Sequence, residues 1–262
     1  MKFLIIGDIV GWTGIKKLKK EYQKLKAKYE IDFTIVNGEN SAHGKGIRLK
    51  EYEEIMKLGV DVITMGNHLY YRKEMAEEYI KLKNLVIPAN VTNLNGNGYV
   101  IVEKRGKKIA VINLIGQASM GEIFEKNTVS PFDKVEEILR NLKSQNIDYI
   151  FVDFHAEASA EKIAMGHFLT GKVTCVFGTH THVQTADEKI LNGKTAYITD
   201  VGMTGPVDSV IGLKKEVALE RFVTGKFAKY ECAEENESFL NGIVVETDNQ
   251  NGLPITIERL QT

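Results

Sequence analysis

The chain has 262 residues, of which 43% are hydrophobic and 26% charged, and a formal net charge of −1. This is ordinary globular composition, which excludes disordered and fibrous chains and supplies no net field for a nucleic-acid or membrane surface. Two cysteines, Cys175 and Cys232, are too few for a disulfide framework and favour a reducing, cytoplasmic setting.

Apolar residues never run beyond four together, as in Phe3 to Ile6, so neither a membrane span nor a signal-peptide core is expected. Short β-branched and aromatic runs that end in Gly, Asp or Asn alternate with longer helical patterns, as when strands feed crossover helices in an α/β fold. A first strand over Lys2 to Ile6 ends at Gly7-Asp8. A helix over Ile15 to Tyr29 follows, with Leu18, Tyr22, Leu25 and Tyr29 at helical spacing and solvated lysines elsewhere. Phe33 to Val36 ends at Asn37-Gly38-Glu39-Asn40; after a helix near Lys50 to Leu58, Val60 to Met65 ends at Gly66-Asn67-His68. Residues 98–104 and 107–114 read as a hairpin about Arg105-Gly106, and a helix near 132–144 precedes a strand from Tyr149 to Phe154 that ends at His155. A helix near 159–168 leads to Val173 to Phe177, which ends at Gly178-Thr179-His180-Thr181-His182. The C-terminal third reads as shorter strands with turns. No repeat or low-complexity linker interrupts residues 1–262, which predicts a single domain.

Five strands thus deliver a carboxylate, amide or imidazole at the same end: Asp8, Glu39-Asn40, Asn67-His68, His155, and His180 with His182. Ligands of α/β sheets bind outside the carboxyl ends of the strands, so these groups are expected to converge. Imidazoles, carboxylates and amide oxygens without thiolates suit iron, manganese or zinc rather than a cysteine-based structural zinc. Such a set exceeds what one tetrahedral ion needs. Two divalent ions bridged by a carboxylate would use it, clamping the attacking and leaving oxygens of a phosphoryl displacement and lowering the pKa of a water between them. An acid for the leaving group is then the missing part.

Other signals are weaker. Gly38 to Gly46 has the wrong spacing for a P-loop, with Gly46 after Lys45 where Ser or Thr is needed. His43 and Lys45 with Gly44 and Gly46 make either an ordinary glycine turn or a loop that contacts substrate phosphate. His167 reads as a helix-surface residue and Cys175 as a buried strand residue. Tyr70-Tyr71 either packs or stacks a base. Loops 41–48 and 117–130, with the surface of the C-terminal strands, are expected to shape the pocket.

Gly7-Asp8, Gly38-Glu39-Asn40, Gly66-Asn67-His68, His155 and Gly178-Thr179-His180-Thr181-His182 resemble, in order, the five-block pattern of calcineurin-like metallophosphoesterases. The runs Val36 to Gly46, Asp153 to Ala158, Gly178 to Asp187 and Tyr197 to Pro206 are similar to the YmdB-type branch of that superfamily, over essentially the whole chain. The resemblance implies a four-layer α/β/β/α sandwich, two central sheets flanked by helices, and hydrolysis of phosphodiesters, with 2′,3′-cyclic nucleotides as the small-molecule substrates. Carried over by position, it implies one metal held by Asp8, Glu39, Asn40 and His182, a second by Glu39, Asn67, His155 and His180, and His68 as the proton donor. Unlike the wider superfamily, the first block lacks an imidazole, the bridging acid is a glutamate, and Leu69 stands where an acid often orients the catalytic histidine.

Competing expectations are a broader phosphatase or RNA-processing nuclease with the same metals, or a regulator that senses a cyclic nucleotide with incidental turnover. The absence of a long basic stripe argues against tight RNA binding. Homo-oligomers are a common outcome that the sequence leaves open.

Overall fold

In the computed structural model, which describes residues 1–234 and 237–262, the run Phe3 to Ile6 carries no polar residue because both of its faces are covered. Phe3 and Ile5 enter a core between two sheets, whereas Leu4 and Ile6 enter a second core beneath helices. In chain order the strands are β1 (Lys2–Ile6), β2 (Asp8–Ile9), β3 (Phe33–Asn37), β4 (Val62–Thr64), β5 (Leu85–Val86), β6 (Tyr99–Lys104) and β7 (Lys107–Ile115). Then come β8 (Tyr149–His155), β9 (Cys175–Thr179), β10 (Lys189–Leu191), β11 (Thr195–Ile198), β12 (Met203–Pro206), β13 (Ser238–Thr247) and β14 (Pro254–Gln261). The helices are α1 (Gly11–Tyr29), α2 (Leu49–Met56), α3 (Glu122–Asn127), α4 (Pro131–Leu142), α5 (Ser159–Phe168) and α6 (Lys215–Thr224).

One sheet has the order β2-β12-β13-β1-β3-β4-β5, with β14 also on β13; the other runs β10-β11-β9-β8-β7-β6. Strands β1, β3, β4 and β5 are mutually parallel, as are β7, β8, β9 and β11, so their carboxyl ends share an edge. Period-2 alternation sorts the side chains into three cores. Phe33, Ile35, Val111, Phe151 and Phe177 fill the space between the sheets. Leu18, Tyr22 and Leu25 of α1 and Ile55 of α2 cover the first sheet, and Val135, Ile138, Met165 and Leu169 cover the second. The result is the expected four-layer α/β/β/α sandwich. Among the described residues no helix is long and apolar enough to cross a membrane.

Three details differ from the sequence reading. Helix α1 begins at Gly11, before Ile15, because Gly14 lets it approach β12 so closely that a Cβ there would strike the Thr204 carbonyl. Asp8, read as the end of the first strand, opens a separate short strand, β2, paired with Met203 of β12. The C-terminal third holds long strands and a helix: β13 has 10 residues and β14 has 8. Asn241 and Gly242 break the apolar pattern of β13, and α6 has no core-facing stripe to betray it, since Leu219, Phe222 and Val223 face outward.

Candidate metal centre

The floor of the site is a buried carboxylate between the sheets. Asp153 on β8 accepts from Thr64 (2.5 Å) and Asn37 (3.1 Å) of the first sheet and from Thr179 of β9 (2.7 Å). Burial pushes its carboxyl above the usual carboxylate range, against these donors and nearby His155.

Over this floor the sequence-selected residues meet. The Glu39 carboxylate accepts from the His68 backbone N–H at 3.0 Å and from the Asn40 amide at 3.0 Å, and lies 3.2 Å from His155 Nε2. Asn67 Oδ1 lies 2.8 Å from His155 Nε2 and 3.0 Å from His180 Nδ1, and those two ring nitrogens are themselves 3.0 Å apart. Asp8 accepts from the His180 backbone N–H at 3.2 Å through Oδ2. Asn40 reaches His182 Nε2 with its amide nitrogen (3.0 Å) and His68 Nδ1 with its oxygen (2.6 Å). Gly66 is required at this point, because a Cβ would run into the Glu39 carboxylate and the His155 ring.

Outer partners fix which nitrogen of each imidazole faces inward. Thr179 Oγ1 donates to Asp153, so it accepts from His155 Nδ1–H at 2.8 Å and leaves Nε2 for the cluster. His180 Nε2 is 2.9 Å from the Glu157 carboxylate, which leaves Nδ1 inward. His182 donates from Nδ1 to the Ile211 carbonyl at 2.8 Å, which leaves Nε2 inward. Thr179, Glu157 and Asp153 were not singled out by the sequence reading, for a hydroxyl or carboxylate acting through another side chain has no spacing signature.

The protein groups alone compensate this concentration of lone pairs with a proton. Burial disfavours a charged His155, yet the adjacent Glu39 carboxylate outweighs it and holds the ring up at about 9. Glu39 is held well below the usual carboxylate range by His155 and His68 despite its burial. Burial pushes Asp8 up to about 7 and, with the neighbouring charge of His155, pushes His180 down to about 3. His68 is likewise lowered by burial.

A divalent cation fits these groups. Inward-facing atoms of Glu39, His155 and His180 all lie within 4.8 Å of one another. Asp8 Oδ1 is fully buried with no hydrogen-bond partner, an orphaned acceptor that costs free energy unless something positive meets it. The donor set is nitrogen and oxygen, without sulfur.

Glu39, Asn40, His68, His180 and His182 open into a cavity of about 350 Å³. Its far wall differs from the expected one: residues 210–230 supply it, whereas the 117–130 segment contains α3 and packs Met120 and Phe124 against Ile115. His43 is exposed and lies 3.3 Å from Arg48. His167 is exposed on α5 and Cys175 is buried, as expected.

A family model described as YmdB-like protein matches residues 4–260. The chain belongs to the YmdB-like family. It is 44% identical over 261 residues to a Bacillus subtilis protein named 2′,3′-cyclic-nucleotide 2′-phosphodiesterase, covering 99% of this chain and 96% of that one. The crystal structure of a Mycoplasma pneumoniae protein described as a novel phosphatase has a TM-score of 0.92 at 39% identity, covering 100% of this chain and 93% of that one. A Thermus thermophilus structure described as a hypothetical protein has a TM-score of 0.89 at 32% identity, covering 100% and 99%. Membership in this metallophosphoesterase-type family implies use of divalent metal, which agrees with the donor set.

Proposed function

We propose that this chain hydrolyses 2′,3′-cyclic nucleotide monophosphates with the help of two divalent metal ions. That it is a phosphoesterase rests on its family and on relatives named for phosphodiesterase and phosphatase activity. The observation that carries the finer reading is the meeting of Asp8, Glu39, Asn40, Asn67, His155, His180, His182 and His68 in one cluster, of which Glu39, Asn40, His68, His180 and His182 line a small cavity. Both sheets contribute, so residues 1–262 serve as one catalytic domain on this reading.

Asp8, Glu39, Asn40 and His182 would hold one ion, and Glu39, Asn67, His155 and His180 the other, with Glu39 common to both. When bound, such a pair supplies an activated water and neutralises charge on the phosphate. Iron or manganese suits these donors, and zinc is compatible with them. Asn40 turns its NH₂ group toward His182 and its oxygen toward His68 Nδ1, and the second lone pair of that oxygen would serve as the ligand. In its imidazolium form His68 donates the Nδ1 proton to this oxygen and carries its second proton on Nε2. From there His68, which lines the cavity, moves the proton to the departing ribose oxygen as water adds across one P–O bond, and a nucleoside monophosphate results. Asn40 thereby takes the orienting role for which the sequence offered no acid after His68.

His68→Ala should keep the metals and lose about 10²–10⁴ in kcat, the usual contribution of a positioned acid. Asp8→Ala and Asn67→Ala should lose metal and activity together. A fully active His68→Ala enzyme would remove the acid role.

A further inference from the structure

The cavity has a wall that the metal chemistry does not use. Strands β12 and β13 are antiparallel neighbours, which a hairpin loop of about two to five residues could join. Instead the chain makes an excursion that includes residues 207–234 and α6. From this excursion Val210, Ile211, Leu213, Arg221, Phe222 and Tyr230 line the cavity. It is tethered to the site twice. The Ile211 carbonyl accepts from His182 Nδ1–H, and Lys45 of the 41–48 loop sits 4.5 Å from the Tyr230 ring centre and 4.6 Å from that of Tyr71. A nucleotide whose phosphate lies at the donor cluster therefore has its nucleoside against this wall.

Two residues on it are exposed and open to a ligand. Phe222 lines the cavity yet is 83% exposed, an apolar ring left without cover. The neighbouring Arg221 side chain has no ion-pair or hydrogen-bond partner among the described residues. An aromatic face beside an unpaired guanidinium, over an anion-binding cluster, is a surface for a base and its phosphate. The cavity volume of about 350 Å³ is at the small end of ligand sites and suits a mononucleotide rather than a polynucleotide chain.

We propose that residues 210–230 of this excursion form the nucleoside-recognition wall of this enzyme, with Phe222 as the platform on which the base stacks and Arg221 attracting the anionic phosphate. The inference rests on the reading of the site as a cyclic-nucleotide phosphodiesterase and adds the residues that make it prefer a nucleotide over other cyclic diesters. Leu219 and Val223, also exposed on α6, lie outside the cavity lining. A second copy of the chain seated on α6 is the competing use of this helix.

The test compares kcat/KM for 2′,3′-cyclic AMP with that for glycerol 1,2-cyclic phosphate, which has the same reacting ring and no base. In Phe222→Ala the ratio should fall about 5- to 150-fold, the range spanned by a base–aromatic stack, through KM rather than kcat. Phe222→Trp should restore it. Arg221→Met should lower kcat/KM for both substrates, with a weaker dependence on salt. If the wild type cleaves both substrates and Phe222→Ala leaves the ratio unchanged, the inference fails alone. If the wild type cleaves glycerol 1,2-cyclic phosphate but not the nucleotide, the cyclic-nucleotide reading fails with it. A change of oligomeric state in Phe222→Ala, read by light scattering, with an unchanged ratio would assign α6 to contact between copies and overturn the inference.

Discussion

Replacing Lys162 with methionine tests how the loop that bears His180 and His182 is held. Both histidines have left-handed backbones, φ +101° and +66°, which cost of the order of 1–3 kcal/mol each. Three bonds over-determine the loop: His180 N–H to Asp8, Thr181 N–H to Asp200 Oδ2 at 3.0 Å, and Met203 N–H to the His182 carbonyl at 3.2 Å. Asp200 is fully buried, also accepts from Gly202 N–H, and has the Lys162 ammonium 2.6 Å away, itself only 1% exposed. Removing the ammonium strands a buried carboxylate, a change that typically costs about 3–5 kcal/mol, against a whole-domain stability of about 5–15 kcal/mol. The double variant Lys162→Met/Asp200→Asn buries no charge. Its one amide oxygen serves only one of the two N–H groups that Asp200 serves, so a deficit of about 1–2 kcal/mol should remain. Urea unfolding of metal-stripped wild type, both single variants and the double gives the coupling directly. A Lys162→Met protein within about 1 kcal/mol of wild type, or single effects that simply add, would refute the reasoning.

Thr179→Val removes both the acceptor for His155 Nδ1–H and a donor to Asp153, so metal affinity should fall about 10- to 100-fold, with Thr179→Ser restoring it. Dialysis against metal buffers reads this, and unchanged affinity in Thr179→Val would contradict the role given to the hydroxyl. In metal-free protein His155 keeps a proton up to about pH 9, and a metal needs that lone pair, so binding near neutral pH should release a proton and tighten as pH rises to about 9. Titration calorimetry in buffers of different ionisation enthalpy measures the release; identical heats would contradict it. The same raised basicity stabilises the metal-free fold fully below pH 6.5 and should be lost as pH rises through about 9, which pH-dependent urea unfolding would show.

What the sequence made legible was the first ring of the site. Asp8, Glu39, Asn67, His155 and His180 each follow or end an apolar run, and parallel strands place such ends along one edge, so local pattern and topology agree. The supporting ring was harder to read, because Thr179, Glu157 and Asp153 act through other side chains. Lys162 did leave a trace: it shares a helical face with Met165 and Leu169, where an apolar residue is expected, and a lysine so placed must find a buried partner. Helix α6 left the wrong trace, since its large apolar residues are exposed and mark no core.

The central claim is that this donor cluster holds two metals that cleave 2′,3′-cyclic nucleotides. Elemental analysis of the purified protein beside hydrolysis of 2′,3′-cyclic AMP, with and without chelator, tests it most directly. The account predicts about two divalent ions per chain and cleavage that chelator abolishes and metal restores. A protein that takes up no metal on reconstitution, or that cleaves the cyclic nucleotide equally well in chelator, would contradict it.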